Sequence, residues 1–290
     1  MAHVFQVGAG SGGMPVLDLL CRDPRITRVT LVEPDVYKPH NVERHQFPLS
    51  AVGASKAMLA ARWLEDRRPD LGVCVLESDL LDPAEQGTFE HAIAEADLGI
   101  CAADNEPAKY HFDALMRKFE KPWTLGEVLS GGIGGFVHWF APGGPCYGCV
   151  ANHLKRDIPV ERPAPAPDYS AAGGPVAETT IPASKASIQT IASLHALVTL
   201  QILDCRLQIA DASAIEISNL QSAMCNRLGF TSLLLTLQKV PEVFDEALRP
   251  YRFRIPRAAD CLICSTRPSP SSPEELDVAL DQALARLGDA

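Results

Sequence analysis

Apolar and polar positions along the first half of the chain switch repeatedly between a strand pattern and a helix pattern. His3–Gly8 is a short apolar run, and Gly13–Cys21 follows as an apolar segment of helical length. Arg28–Glu33 predicts a second strand. Val52–Arg67 has helical spacing at Ala57, Leu59, Ala60, Trp63 and Leu64. Val73–Leu76 and Leu98–Ala102 predict further strands, and Pro107–Phe119 a helix leading to a strand at Trp123–Val128. Such alternation predicts an α/β protein with a mostly parallel sheet covered on both faces. Gly131–Gly135 is glycine-rich, and Phe136–Phe140 reads as a strand.

The rhythm stops at 155–182, a stretch rich in proline and alanine that reads as a mobile crossover loop. It resumes as a helix from about Ala183 to Leu203. There Ile188, Ile191, Leu194, Leu197, Val198 and Ile202 make one stripe suited to a core or a dimer face. Ala214–Ile217 and Ser232–Leu237 read as strands, followed by an acidic and arginine-bearing stretch. Residues 1–267 thus read as one unit, and 268–290 as a linker with a peripheral helix.

Composition narrows the class. A hydrophobic content of 47% supplies a sizeable core, and a net charge of −10 argues against nucleic acid or an anionic membrane as partner. No apolar run reads as long enough to span a bilayer, and residues 1–20 lack the basic start of a signal peptide. Nine cysteines, four of them in two Cys-x-x-Cys pairs, fit a reducing, cytoplasmic setting.

Those pairs, Cys146/Cys149 and Cys261/Cys264, are each half of a tetrahedral zinc site. A site filled by four thiolates has no open position, so its Zn²⁺ would be structural. A disulfide or unrelated thiols are the alternatives. A second signal is Gly8-Ala9-Gly10-Ser11-Gly12-Gly13 between the first strand and helix, where glycines let backbone approach a phosphate or ribose. Glu33, about 20 residues on, suits ribose hydroxyls. To that point NAD and ATP are equally supported. Asp35, Asn41, Arg44 and Lys56 then follow one strand, and only a triphosphate site needs cations there with an acid for Mg²⁺.

Here the chain resembles the E1-type adenylyltransferases, the ThiF/MoeB group that activates ubiquitin-like and sulfur-carrier proteins. The shared residues are the glycine loop, E-P-D-x-V with N-V-E-R-H, V-G-A-S-K, A-D-N at Ala103–Asn105, and both cysteine pairs, across about residues 3–265. The resemblance implies a Rossmann-like sheet extended by antiparallel strands, a homodimer, and transfer of AMP from ATP to a carrier protein's C-terminal glycine. It implies that Gly8, Gly10 and Gly13 cradle the nucleotide, that Glu33 replaces the usual ribose-binding Asp, and that Asp35 is that motif's second acid. Asn41 and Arg44 match phosphate-holding residues, Lys56 the lysine at the reacting phosphate, and Asp104 the acid tied to Mg²⁺ and catalysis. Arg44, Lys56 and Asp104 are thus the catalytic candidates. Lys109 stands where the family commonly has Arg, and Asp113 where it often has Asn.

The chain departs from the pattern in three ways. It starts on its first strand, without the N-terminal segment whose arginine reaches a partner's ATP. Residues 150–204 hold no cysteine to form a thioester. The loop hydroxyls Ser170, Thr179, Thr180 and Ser184 offer an oxyester as a chemical alternative. Cys21, Cys74 and Cys101 read as buried and inert, and Cys225 as a weak candidate nucleophile. Residues 205–260 read as an antiparallel extension of the sheet or a surface for a carrier or an E2-like protein. The resulting reading is activation of a ubiquitin-like protein in a bacterial conjugation pathway. A sulfur-carrier activating enzyme, a non-catalytic scaffold subunit and an NAD-dependent oxidoreductase are the alternatives.

Overall fold

The computed structural model describes residues 1–154, 182–211 and 218–265. The expectations for Ser170, Thr179, Thr180, the strand at Ala214–Ile217 and the tail 268–290 lie outside the described residues.

Eight strands form one sheet: β1 (Ala2–Val7), β2 (Ile26–Val32), β3 (Gly72–Leu76), β4 (Leu98–Cys101), β5 (Trp123–Val128), β6 (Gly134–Phe140), β7 (Ser232–Thr236) and β8 (Pro250–Phe253). Their order is β3-β2-β1-β4-β5-β6-β7-β8. The first five pair in parallel, and β5 through β8 pair antiparallel. This is the expected mostly parallel sheet with an antiparallel extension, begun by β6 and completed by β7 and β8 from residues 205–260. β1 is buried at all six positions, as a central parallel strand with both faces covered must be.

The described helices are α1 (Gly13–Leu20), α2 (Lys56–Glu65), α3 (Gln86–Glu95), α4 (Glu106–Lys118), α5 (Tyr147–His153), α6 (Lys185–Asp211) and α7 (Ser218–Leu228). Two cores result. Val4, Met14, Leu17, Val29, Ala60, Ile191 and Met224 fill one face, gathering α1, α2, α6 and α7. Phe5, Phe89, Ile93, Phe112, Trp123, Phe140 and Tyr147 fill the other, gathering α3, α4 and α5. Val4 and Phe5 point to opposite cores, as successive strand residues do.

Local signals set the helix starts. The pattern over Val52–Arg67 begins to be helical only at Lys56, because Gly53 takes a positive φ of 94° and Ser55 caps the helix, its Oγ accepting from Met58 N at 3.3 Å. Asn105 caps α4 by accepting from Ala108 N at 2.9 Å, with Glu106 in the first turn and Arg117 and Lys118 in the last, as the helix dipole favours. The glycine-rich stretch splits: Gly131 and Gly132 make a left-handed turn, while Gly134 and Gly135 are already in β6. At Gly135 a Cβ would stand 2.6 Å from Ile191 Cγ1, so that glycine lets α6 lie on the sheet.

Two expectations change. By length and composition Lys185–Gln208 is apolar enough to cross a membrane, although half of that window is buried. It packs on α1, β5 and β6, which is the setting of a core helix. Cys74 is exposed, not buried, because β3 is an edge strand; Cys21 and Cys101 are buried as expected. Burial pushes both of those thiols up to about 12, which leaves them inert.

Candidate active site

The strand order reverses between β1 and β4, the place where open parallel sheets bind ligands beyond their carboxyl ends. The glycine loop lies there. Gly8 has φ +94° and a Cβ on it would stand 2.7 Å from Ala102 O; one on Gly13 would stand 2.2 Å from Gly8 O. These two glycines are needed by the loop itself. A Cβ on Gly10 would meet nothing within 4 Å, so that position faces open space, a cradle into which a phosphate or ribose fits. The N–H groups of Gly10, Ser11 and Gly12 have no hydrogen-bond partner among the described residues.

The loop is held from two sides at one residue. Ala9 N donates to Glu33 Oε2 at 2.6 Å, and Ala9 O lies 2.9 Å from His45 Nε2. The other His45 nitrogen, Nδ1, accepts from Gln46 N at 2.9 Å. Nε2 is therefore the protonated nitrogen and donates to Ala9 O. Burial, with Lys56 and Lys185 nearby, lowers the His45 pKa to about 4 and keeps the ring neutral. Glu33 Oε1 accepts from Asp35 N at 2.9 Å, so both its oxygens already bind backbone. Burial raises its pKa even with Lys56 close by.

The segment after β2 brings its charges together. Lys56 is buried at the start of α2 and donates from Nζ to Asp35 Oδ2 at 2.7 Å, while Asp35 is exposed. The backbones meet too, with Val36 bridged to Ser55 and Lys56 N donating to Asp35 O. Asn41 Oδ1 accepts from Lys38 N at 2.9 Å, and its amide NH₂ has no hydrogen-bond partner among the described residues. Arg44 N donates to Asn41 O at 3.0 Å, while its guanidinium forms no hydrogen bond or ion pair among the described residues. Its charge is sensed at His40, where burial and then Arg44, Lys38 and Lys56 lower the pKa.

Beyond β4, Ala102 packs against Gly8, and Asp104 follows two residues later. Asp104 is exposed and unpaired among the described residues. Lys109 differs in kind. It is buried and donates to Glu106 Oε1 at 2.8 Å and Glu127 Oε1 at 2.7 Å. Glu127 Oε2 lies 3.1 Å from His138 Nε2, and Tyr147 Oη donates to Glu106 Oε2 at 2.8 Å. Asp113 is buried, accepts from Tyr147 N and Arg117 Nε, and burial raises its carboxyl to about 6. Lys109 and Asp113 thus tie α4 to β5 and α5.

The cysteine pairs meet. Cys146 Sγ lies 3.7 Å from Cys149 Sγ and 3.5 Å from Cys261 Sγ, and Cys149 Sγ lies 3.5 Å from Cys264 Sγ. All four sulfurs are within 4.8 Å of one another. Disulfide sulfurs sit at ~2.05 Å. Four thiolates ~2.3 Å from one zinc ion stand ~3.8 Å apart, so the donor set and spacing fit Zn²⁺.

Two residues carry more than the sequence reading gave them. His45 was legible only as a neighbour of Arg44. Lys185, in the first turn of α6, donates from Nζ to His45 O at 3.0 Å. Its one sequence signal is Ser184, a helix-cap type whose Oγ accepts from Ser187 N at 3.1 Å. Cys225 lies on α7 and burial raises its pKa, the opposite of an activated nucleophile.

A sheet that reverses at β1/β4, a glycine loop at that point and an antiparallel extension define a Rossmann-like protein of the E1 adenylation type. The ThiF family profile matches residues 1–206, and the chain belongs to that family. Among solved structures it is similar to E. coli MccB bound to succinimide, with TM-score 0.60, 16% identity, 91% of this chain covered and 66% of that one. E. coli MccB with ATP aligns with TM-score 0.59 and 16% identity over 91% and 67% of the two chains. The Microcin C7 biosynthetic enzyme MccB with N-formylated MccA aligns with TM-score 0.61 and 16% identity over 91% and 67%. The chain thus spans about two thirds of the length of these structures. No curated protein sequence is significantly similar to it.

Proposed function

We propose that the protein is an adenylyltransferase that activates the C-terminal carboxylate of a protein or peptide with ATP. The observation that carries this reading is the glycine loop with an open face at Gly10, set beside a segment that gathers Arg44, Lys56 and Lys38. Family membership supports it, as does the likeness to MccB, a structure of which contains ATP.

In this reading a substrate carboxylate oxygen attacks the α-phosphorus. The new O–P bond forms as the bond to the β-phosphate oxygen breaks, giving acyl-AMP and pyrophosphate. Two anions must meet, so the protein's work is alignment and charge compensation. Lys56 would leave Asp35 to neutralise the reacting phosphate, and Arg44 and the Asn41 amide would hold the phosphates. Asp104, exposed and unpaired among the described residues, would be the carboxylate that holds Mg²⁺. Glu33 reads as a brace for the glycine loop and, through its remaining lone pairs, a ribose contact. A Zn²⁺ ion held by Cys146, Cys149, Cys261 and Cys264 would be structural.

The finer reading is that the substrate is a ubiquitin-like protein ending in glycine, in a bacterial conjugation pathway that includes an E2-like protein. We further propose a homodimer in a reducing cytoplasm, residues 1–267 as the adenylation unit, and release as adenylate without a thioester. The test is ATP–pyrophosphate exchange with candidate carriers ending in Gly-Gly. Exchange that depends on the carrier and disappears in Lys56→Ala and Asp104→Ala is expected. ATP binding without exchange for any carrier would instead favour a scaffold subunit.

A further inference from the structure

The first turn of α6 comes from far along the chain and lands on the nucleotide loop. Two contacts fix it there: a Cβ on Gly12 would lie 3.9 Å from Ile188 Cγ2, and Lys185 Nζ donates to His45 O. His45 in turn holds Ala9 O in the glycine loop and directly follows Arg44. The Lys185 ammonium therefore sits at the backbone carbonyl of the residue after Arg44, and its positive charge is sensed at the His45 ring. Lys185 is exposed, and among the described residues the carbonyl uses one of the ammonium's three donors.

We propose that Lys185 is a polyphosphate-binding residue, completing from α6 a cation set otherwise drawn from the segment after β2. This rests on the adenylation reading. The chemistry that selects it is charge. Lys56, tied to Asp35 at the start of α2, serves the reacting phosphate. Lys185 adds a cation from α6, held at the His45 carbonyl beside the glycine loop, and the β- and γ-phosphates carry most of ATP's negative charge and leave as pyrophosphate. A flexible, exposed lysine is a point-charge contact of the kind phosphates use.

The inference is tested by calorimetric titration of the full chain with Mg-ATP and, separately, with AMP. Loss of one charge-assisted hydrogen bond in Lys185→Ala should raise the Kd for ATP about tenfold and change that for AMP less than about twofold. Lys185→Arg, which keeps the charge, should recover most of the ATP affinity. Equal weakening for ATP and AMP would show that Lys185 only supports the loop through His45, and no weakening for either would remove it from the site; both overturn the proposal. A wild-type chain that binds no ATP overturns the adenylation reading itself, which separates the two failures.

Discussion

The buried imidazoles are the residues whose protonation the fold fixes most tightly. His195 Nε2 lies 2.9 Å from Thr124 Oγ1, which lies 2.9 Å from Thr199 Oγ1, and Thr199 donates to His195 O at 2.8 Å. That last bond sets the direction of the others: Thr124 donates to Thr199, so His195 Nε2–H donates to Thr124. Thr124→Val leaves this N–H buried without an acceptor and should cost about 1–3 kcal/mol, read in urea unfolding. Burial, with His138 nearby, lowers the His195 pKa to about 3, and His45 titrates at about 4. In the unfolded chain both rings take up a proton near pH ~6.5. The folded state binds fewer protons below that point, so their contribution is fully present above pH ~6.5 and is lost as pH falls toward 4 for His45 and toward 3 for His195. Unfolding free energy should drop by up to about 3 kcal/mol for the first ring and by more for the second. His195→Gln should make the pH slope shallower; an unchanged slope would show that His195 titrates normally in the native state.

At the scale of elements, the glycine loop separates structural need from ligand need. Gly13→Ala places a Cβ 2.2 Å from Gly8 O and should destabilise the fold. Gly10→Ala meets nothing within 4 Å, so its melting temperature should stay close to wild type while ATP affinity falls at least about tenfold. Retained affinity in Gly10→Ala would mean that the nucleotide does not lie on the loop. This loop and the cysteine pairs were legible in the sequence because backbone approach and metal ligation each admit few residue types. Strands β1, β2, β4 and β5 were legible because strands in the middle of a sheet covered on both faces are rich in apolar residues. α3 was missed because only Phe89 and Ile93 of its ten residues are buried, too few to show a period. α5 is hidden within the first cysteine pair, and β8 opens on a proline and alternates exposed and half-buried positions at the sheet edge. Cys74 misled because an apolar run looks the same on an edge strand as on a central one. Lys185 was illegible for a different reason: only the chain crossover brings it to His45, and no local pattern carries that contact.

For the whole molecule, the question is whether the cysteine cluster and the candidate nucleotide site are one cooperative unit. The cluster joins α5 to a segment 115 positions further on and fixes the residues after β8. Closing so long a loop is where a cross-link stabilises most, and one bound ion links all four thiolates at once. Purified protein should carry one Zn²⁺ per chain by elemental analysis. Chelation or Cys261→Ser should lower the melting temperature by several degrees. Two hydrogen bonds join α5, at the cluster, to α4: Tyr147 Oη to Glu106, next to the Asn105 cap, and Tyr147 N to Asp113, and a hydrogen bond to a carboxylate is worth ~1.5–3 kcal/mol at most. The glycine loop depends on Glu33, His45 and the packing of α1 on α6, and none of these touches the cysteines. Its supports are separate from these two bonds, so metal-depleted protein held below its lowered melting temperature should bind ATP within about threefold of the loaded form. If affinity instead collapses with the metal, the Tyr147–Glu106 bond transmits the cluster's state to the site. Tyr147→Phe in the zinc-loaded protein should then reproduce the loss without any change in metal content.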